Sequence, residues 1–132
     1  MSDLPADSAT ALVHAFRRGT LSPVEATRVA LDRIRAFDGA VNAFILVDED
    51  GAMEAARASE ARWRAGTPLG PVDGVPTTIK DATLTKGWPT LRGSLTIPRD
   101  QPWEDDAPVV ASENGGGKVC HGSGGIASLR AA

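Results

Sequence analysis

A chain of 132 residues has room for one domain at most, with a core of modest size. Its 14 Lys and Arg stand against 17 Asp and Glu, a formal charge of −3, so there is no electrostatic pull toward nucleic acid or an anionic membrane surface. The single cysteine, Cys120, excludes an internal disulfide and fits a reducing compartment. No apolar run approaches the roughly 18 residues of a membrane span, and the opening MSDLPADS is too polar and acidic for a signal peptide. A soluble, cytoplasmic protein is the expectation.

The first element is a short helix from Ser8 to Arg18, with Leu12, Val13 and Phe16 on one face and Gly19 placed to end it in the left-handed conformation. His14 falls off that stripe and has no second histidine near it, so it reads as a surface residue. Ser22-Pro23-Val24-Glu25 is a strong helix start: serine caps, proline fits the first turn and glutamate completes a capping box. The second helix should run to Phe37, with Thr27, Ala30, Leu31 and Ile34 on one side, and stop at Gly39. Val41–Val47 is an apolar run of strand length. Asp48 can cap a third helix, Glu49–Ala65, closed by Gly66, whose small residues Ala52, Ala55, Ala56 and Ser59 suit close packing. Trp63 is either a hydrophobic anchor or a rim residue. Three helices and one strand are thus expected over residues 8–65, with Leu31, Ile34, Phe44 and Leu46 buried.

Next comes the stretch around which the chain is organised, Gly70–Ser94, reading GPVDGVPTTIKDATLTKGWPTLRGS. Gly70-Pro71 and Asp73-Gly74 bend the backbone twice. Val75–Ile79 is a β-prone run with Pro76 near its start, where a missing N–H does least harm. Lys80 and Asp81 arrive where that run ends. Most lysines after a strand are solvated, but one held at the mouth of a buried strand loses hydration, which disfavours the ammonium and lets the amine serve as a general base. Beyond it, Thr83–Trp88 reads as a short extended piece, Ile97–Pro108 as a proline-rich loop, and Asp105–Ala111 as a helix start with an aspartate cap. The alternation of helices and strands indicates an α/β class.

The blocks GPVDGVPTTIKD (Gly70–Asp81) and TKGWPTLRGS (Thr85–Ser94) resemble the amidase signature family, in which G-P-x-x-G-[VI]-P-x-x-x-K-D carries the catalytic lysine and T-x-G-x-P-T-x-x-G-S follows it. The likeness extends from Thr10 to Ala111. It implies the N-terminal part of the amidase signature fold, helices packed on a mixed central β-sheet, in an incomplete form, with residues 8–111 as that part. It also implies hydrolysis of a small-molecule carboxamide through a Ser–cis-Ser–Lys triad, without metal or cofactor, and assigns Lys80 as the catalytic lysine. The bridging serine, the nucleophile and the glycine-rich oxyanion loop have no matching position. Two alternatives accompany the amidase reading. One is a non-catalytic fragment or interaction module. The other is part of the A component of a glutaminyl-tRNA amidotransferase, against which the acidic charge balance weighs. No nucleic-acid or membrane partner is expected.

From Ser112 the pattern fails. SENGGGKVCHGSGGIASLRAA does not continue the helical periodicity begun at Val109-Val110, and three consecutive glycines would each cost a helix about 1 kcal/mol relative to alanine. Residues 112–132 therefore read as a divergent, glycine-rich tail, expected to be disordered, of the kind a frameshift or other alteration produces. Gly122–Ala127 fits a G-x-G-x-x-A fingerprint but leaves no room for the helix and second strand that the mechanism needs. Gly115–Lys118 lacks the spacing and the Ser or Thr of a P-loop. Cys120 and His121 are neighbours that would point apart on a strand. Ser123 lies in a GSGG that lacks the family's doubled serine and comes far too soon after Lys80, so the nucleophile is not carried over to it.

Overall fold

The computed structural model describes residues 8–111 and 128–129. Helix α1 (Ala9–Arg18) begins at Ser8, whose hydroxyl accepts from the Ala11 N–H at 3.2 Å, and ends at Gly19, which takes a left-handed φ of 67°. Helix α2 (Pro23–Val41) opens with the expected capping box: Ser22 N–H donates to the Glu25 carboxylate at 2.8 Å while Glu25 N–H donates to the Ser22 hydroxyl at 3.1 Å. It does not stop at Gly39. The helix runs on through that glycine and ends at Asn42, in the left-handed region. Asp38 explains the extension, because its carboxylate accepts the N–H groups of Ala43 and Phe44 and its carbonyl accepts that of Asn42, so the chain is captured just past Val41.

Strand β1 (Phe44–Leu46) is shorter than the apolar run that announces it. Helix α3 (Glu49–Arg64) is capped by Asp48 through the Gly51 N–H at 3.0 Å. It packs on α2 with its small face, burying Ala52, Ala56 and Ser59. Among the described residues, two apolar groups tie the helices together. Leu12, Phe16 and Ala26 join α1 to α2, with Leu21, Trp63 and Val75 packed around them. Leu31 and Ala52 join α2 to α3, with Ile34, Phe44 and Val47 beside them. Of the four residues expected inside, only Leu31 is buried; Ile34, Phe44 and Leu46 are half-buried, because β1 is covered by the helices on one side and borders an open cleft on the other.

Among the described residues the sheet has three short strands in the order β1-β3-β2, with β2 at Ile79–Lys80 and β3 at Ser128–Leu129. It is mixed: β3 runs antiparallel to β1, with an irregular register between Phe44 and Leu46, and parallel to β2. Two expectations are corrected here. Val75–Thr78 is not a strand; only the last residues of that run pair. And Ser128–Leu129, in the segment expected to be disordered, supplies the middle strand, since main-chain pairing needs no apolar side chain. Residues 112–127 and 130–132, with Cys120, His121, Ser123 and the glycine motifs, lie outside the described residues. Helix α4 (Pro108–Ala111) is a single turn. Asp106 lies two residues before it, and its carboxylate accepts the Lys86 N–H at 2.7 Å.

Candidate functional site

The Gly70–Ser94 stretch is fastened at two aspartates. The first is Asp73, buried in the double turn before Val75. Arg62 of α3 grips its carboxylate with two hydrogen bonds, Leu69 N–H donates a third at 3.0 Å, and the Trp63 indole N–H donates to the Asp73 carbonyl at 2.9 Å. Trp63 is therefore an anchor: its ring also packs against Phe16, centroids 6.2 Å apart. Gly74 has φ +85° and no room for a side chain, since a Cβ would sit 2.5 Å from the Ser59 hydroxyl and 2.8 Å from Pro23. These contacts fix where the chain leaves the helices and heads for β2.

At the end of β2, Ile79 is buried and Lys80 is exposed. The backbone then reverses, with the Lys80 carbonyl accepting from both Ala82 (2.7 Å) and Thr83 (3.0 Å). Asp81 points inward and is 1% exposed. Its carboxylate accepts the Leu91 N–H at 2.8 Å and the Gly93 N–H at 3.3 Å, so the second sequence block is tied directly to the residue after the lysine. Arg92 and Gly93 both have positive φ, 53° and 67°, and Ser94 N–H closes the turn on the Leu91 carbonyl at 2.9 Å. Thr83–Trp88, expected to be extended, is a tight reversal with one bridge between Thr85 and Trp88 around Gly87.

This turn and β1 flank a cleft of about 350 Å³. Phe44, Ile45, Leu46, Leu91 and Leu95 give it apolar walls, while Asn42, Asp81, Ser94 and Arg99 supply its polar groups. Lys80 is not among its lining residues. Among the described residues no group of three or more His, Cys, Asp or Glu is gathered to hold a metal ion, and no helix is long and apolar enough to cross a membrane. The lysine was legible in the sequence. The clasp made by Asp81 and the grip on Asp73 were not, although an aspartate inside the Gly70–Asp81 block, twice over, was the available signal.

Comparisons with known proteins agree with this layout. The family model described as Amidase matches residues 25–127, past the Ala111 at which the sequence likeness was expected to end. The A component of the glutamyl-tRNA(Gln) amidotransferase of Salinispora arenicola (strain CNS-205) is 47% identical over 109 residues, covering 83% of this chain and 22% of the relative. That of Myxococcus xanthus (strain DK1622) is 51% identical over 92 residues, 70% of this chain and 19% of the relative. Among solved structures, one described as an amidase superposes with a TM-score of 0.76 at 28% identity, over 91% of this chain and 26% of its own. A bacterial aryl acylamidase of the amidase signature enzymes gives 0.72 at 26% identity, over 94% and 25%. The chain thus spans about a fifth to a quarter of the proteins it matches, and its fold is that of their corresponding portion.

Proposed function

Because the chain belongs to the amidase signature family, we propose that residues 8–111 form the lysine-bearing N-terminal part of an enzyme that cleaves carboxamides by acyl transfer, with Lys80 as its general base. The observation that carries this reading is the family match across the two blocks, with Lys80 at the end of β2 and the second block clasped beside it by Asp81. In the proposed reaction a serine hydroxyl attacks the amide carbonyl and its proton passes through a bridging serine to the Lys80 amine. The C–N bond then breaks, the leaving amine takes the proton, and the acyl group remains on serine as an ester. Neither serine has a matching position among these 132 residues, so this chain by itself does not turn over amides. Small-molecule amides are the proposed substrates, and the cytoplasm the proposed location.

The amidotransferase version of this reading draws support from the names of the relatives. The charge balance does not weigh against it, because a chain spanning 22% of the relative says little about where the whole protein meets tRNA. A second reading, an interaction module, draws on the apolar side chains left in water: Leu95 is fully exposed, and Val41, Val109 and Phe37 are more than half exposed.

A chimera tests the catalytic reading. Residues 8–111 replace the corresponding segment of the Salinispora arenicola relative, and amidotransferase activity is measured with and without Lys80→Ala. An active chimera silenced by that substitution supports the reading. A folded chimera that is inactive, or one that keeps its activity with alanine at position 80, counts against it.

A further inference from the structure

We propose that Asp81 is a positioning residue, whose buried carboxylate locks the Leu91–Ser94 turn to the end of β2 and so fixes both the backbone that carries Lys80 and one wall of the adjoining cleft. The proposal rests on the reading of Lys80 as a base. Adjacent side chains at a strand end point to opposite sides, which is why Lys80 faces solvent and Asp81 the interior. A carboxylate taken out of water requires hydrogen-bond donors. Here the two donors are main-chain N–H groups, from Leu91 on one oxygen and Gly93 on the other. Successive left-handed residues, Arg92 and Gly93, shape the turn so that these N–H groups converge, as in the anion-binding concavities built from main-chain amides.

The chemistry of the clasp is demanding. Asparagine has nearly the same shape but offers one acceptor oxygen and one NH₂, so it sets a donor against one of the two N–H groups. Glutamate keeps both oxygens but pushes the turn outward by about one methylene. The same clasp also spans two functions of the proposed site. Thr90 donates to the Thr83 carbonyl at 3.3 Å, a second tie between the reversal at 80–83 and the residues that lead into the 91–94 turn. Leu91, Gly93 and Ser94 line the cleft together with Asp81 itself. Loosening one side chain therefore releases the lysine's backbone and the cleft wall at once. Small displacements of a reacting group are costly, and an ångström can lower a rate by about a hundredfold.

The test has two arms. In the full 132-residue chain, Asp81→Asn should speed amide hydrogen exchange at Leu91 and Gly93 by about tenfold or more while leaving Leu31 in α2 unchanged. In the chimera, with active sites counted by a fluorophosphonate, Asp81→Asn should lower kcat per labelled site by about tenfold or more. Asp81→Glu should recover part of that loss. Sites are counted once labelling is complete, which separates positioning from misfolding: a displaced base only slows labelling, whereas misfolded enzyme stays unlabelled. Unchanged exchange overturns the clasp, and faster exchange with unchanged kcat per labelled site overturns the positioning role. A chimera that keeps working with Lys80→Ala overturns the base reading by itself, whatever Asp81→Asn does.

Discussion

Arg62 and Asp73 meet as a two-pronged ion pair beneath the Gly70–Gly74 turn, Nε donating to Oδ2 at 2.8 Å and Nη2 to Oδ1 at 2.6 Å. The Asp73 side chain is fully buried, whereas Arg62 keeps about a fifth of its surface in water. That asymmetry sets the order of the two deletions. Arg62→Ala strands a buried carboxylate without its cation, leaving the Leu69 N–H as a main-chain donor, and should cost about 3–5 kcal/mol. Asp73→Asn leaves a guanidinium that can reach solvent, and should cost less. Arg62→Lys keeps the charge but loses the fork, so it should fall between. Urea midpoints followed by tryptophan fluorescence would rank the three variants, and an Arg62→Ala midpoint close to wild type would mean that the pair does not hold the turn.

The same pair gives the chain a definite acid response. Burial by itself raises the Asp73 pKa; the hydrogen bonds from Arg62 and Leu69 N–H, with the charge of Arg62, outweigh it and hold the carboxyl below its ordinary range. A group whose folded pKa is depressed contributes stability that is present above its unfolded value and is lost as pH falls through the folded one. The contribution should thus be complete above about pH 4–5 and drain away below about pH 4. Unfolding measured from about pH 7 to about pH 2.5 should show a steeper acid loss in wild type than in Asp73→Asn, which cannot titrate there. Equal slopes would place the acid sensitivity elsewhere.

At the second block, Arg92 occupies a position that its side chain disfavours. Its φ of 53°, followed by Gly93 at 67° and closed by the Ser94 N–H on the Leu91 carbonyl, is the pattern of a turn that favours Asn-Gly or Gly-Gly. Arg92 is exposed, so no buried contact offsets the strain. Arg92→Asn should stabilise the chain by about 0.5–1 kcal/mol, and Arg92→Val should destabilise it by at least as much, because a β-branched residue fits this region worst. Opposite signs in two thermal melts are the expected result. Two destabilised variants would mean that the arginine side chain contributes something its exposure does not reveal.

Much of the helical half could be read in the sequence because its signals are local. Ser22, Pro23 and Glu25 specify a helix start within four residues, and Ser8, Gly19 and Asp48 act on their nearest neighbours. Gly39 misled because a glycine ends a helix only where nothing further on captures the chain, and Asp38 does so by reaching forward to Ala43 and Phe44. The candidate site was legible at Lys80 alone, through a matched block. Its supports are bonds between residues 10 to 12 positions apart: Arg62 to Asp73, Asp81 to Leu91 and Asp81 to Gly93. No periodicity announces such pairs. Val75–Thr78 carries β-prone side chains, but a strand needs a partner, and only Ile79 and Lys80 find one in β3. Phe44 and Leu46 were expected inside from hydropathy, and part of each remains uncovered because one side of β1 faces the cleft.

Lys80 gives the last prediction. Base catalysis by a lysine requires a desolvated amine, a bridging hydroxyl within about 2.6–3.2 Å and an acyl-accepting serine beyond it. In this chain the side chain stands in water at the end of β2, and the sequence has no matching position for either serine. The 132-residue chain should therefore leave simple amides at their background rate of hydrolysis, and Lys80→Ala should not alter that rate. Lys80 should also be acylated by N-hydroxysuccinimide esters as readily as Lys86, the other exposed lysine of this region, when the labelled sites are mapped by mass spectrometry. A protected Lys80 beside a labelled Lys86 would contradict its exposure. Serine-directed labelling supplies the decisive comparison. A fluorophosphonate should leave Ser123 unmodified here, whereas the chimera should be labelled at a serine contributed by the relative, and more slowly with Lys80→Ala because the nucleophile then lacks its base. Labelling of Ser123 that disappears with Lys80→Ala would instead make the glycine-rich tail a working site, and the nucleophile would have to be assigned there.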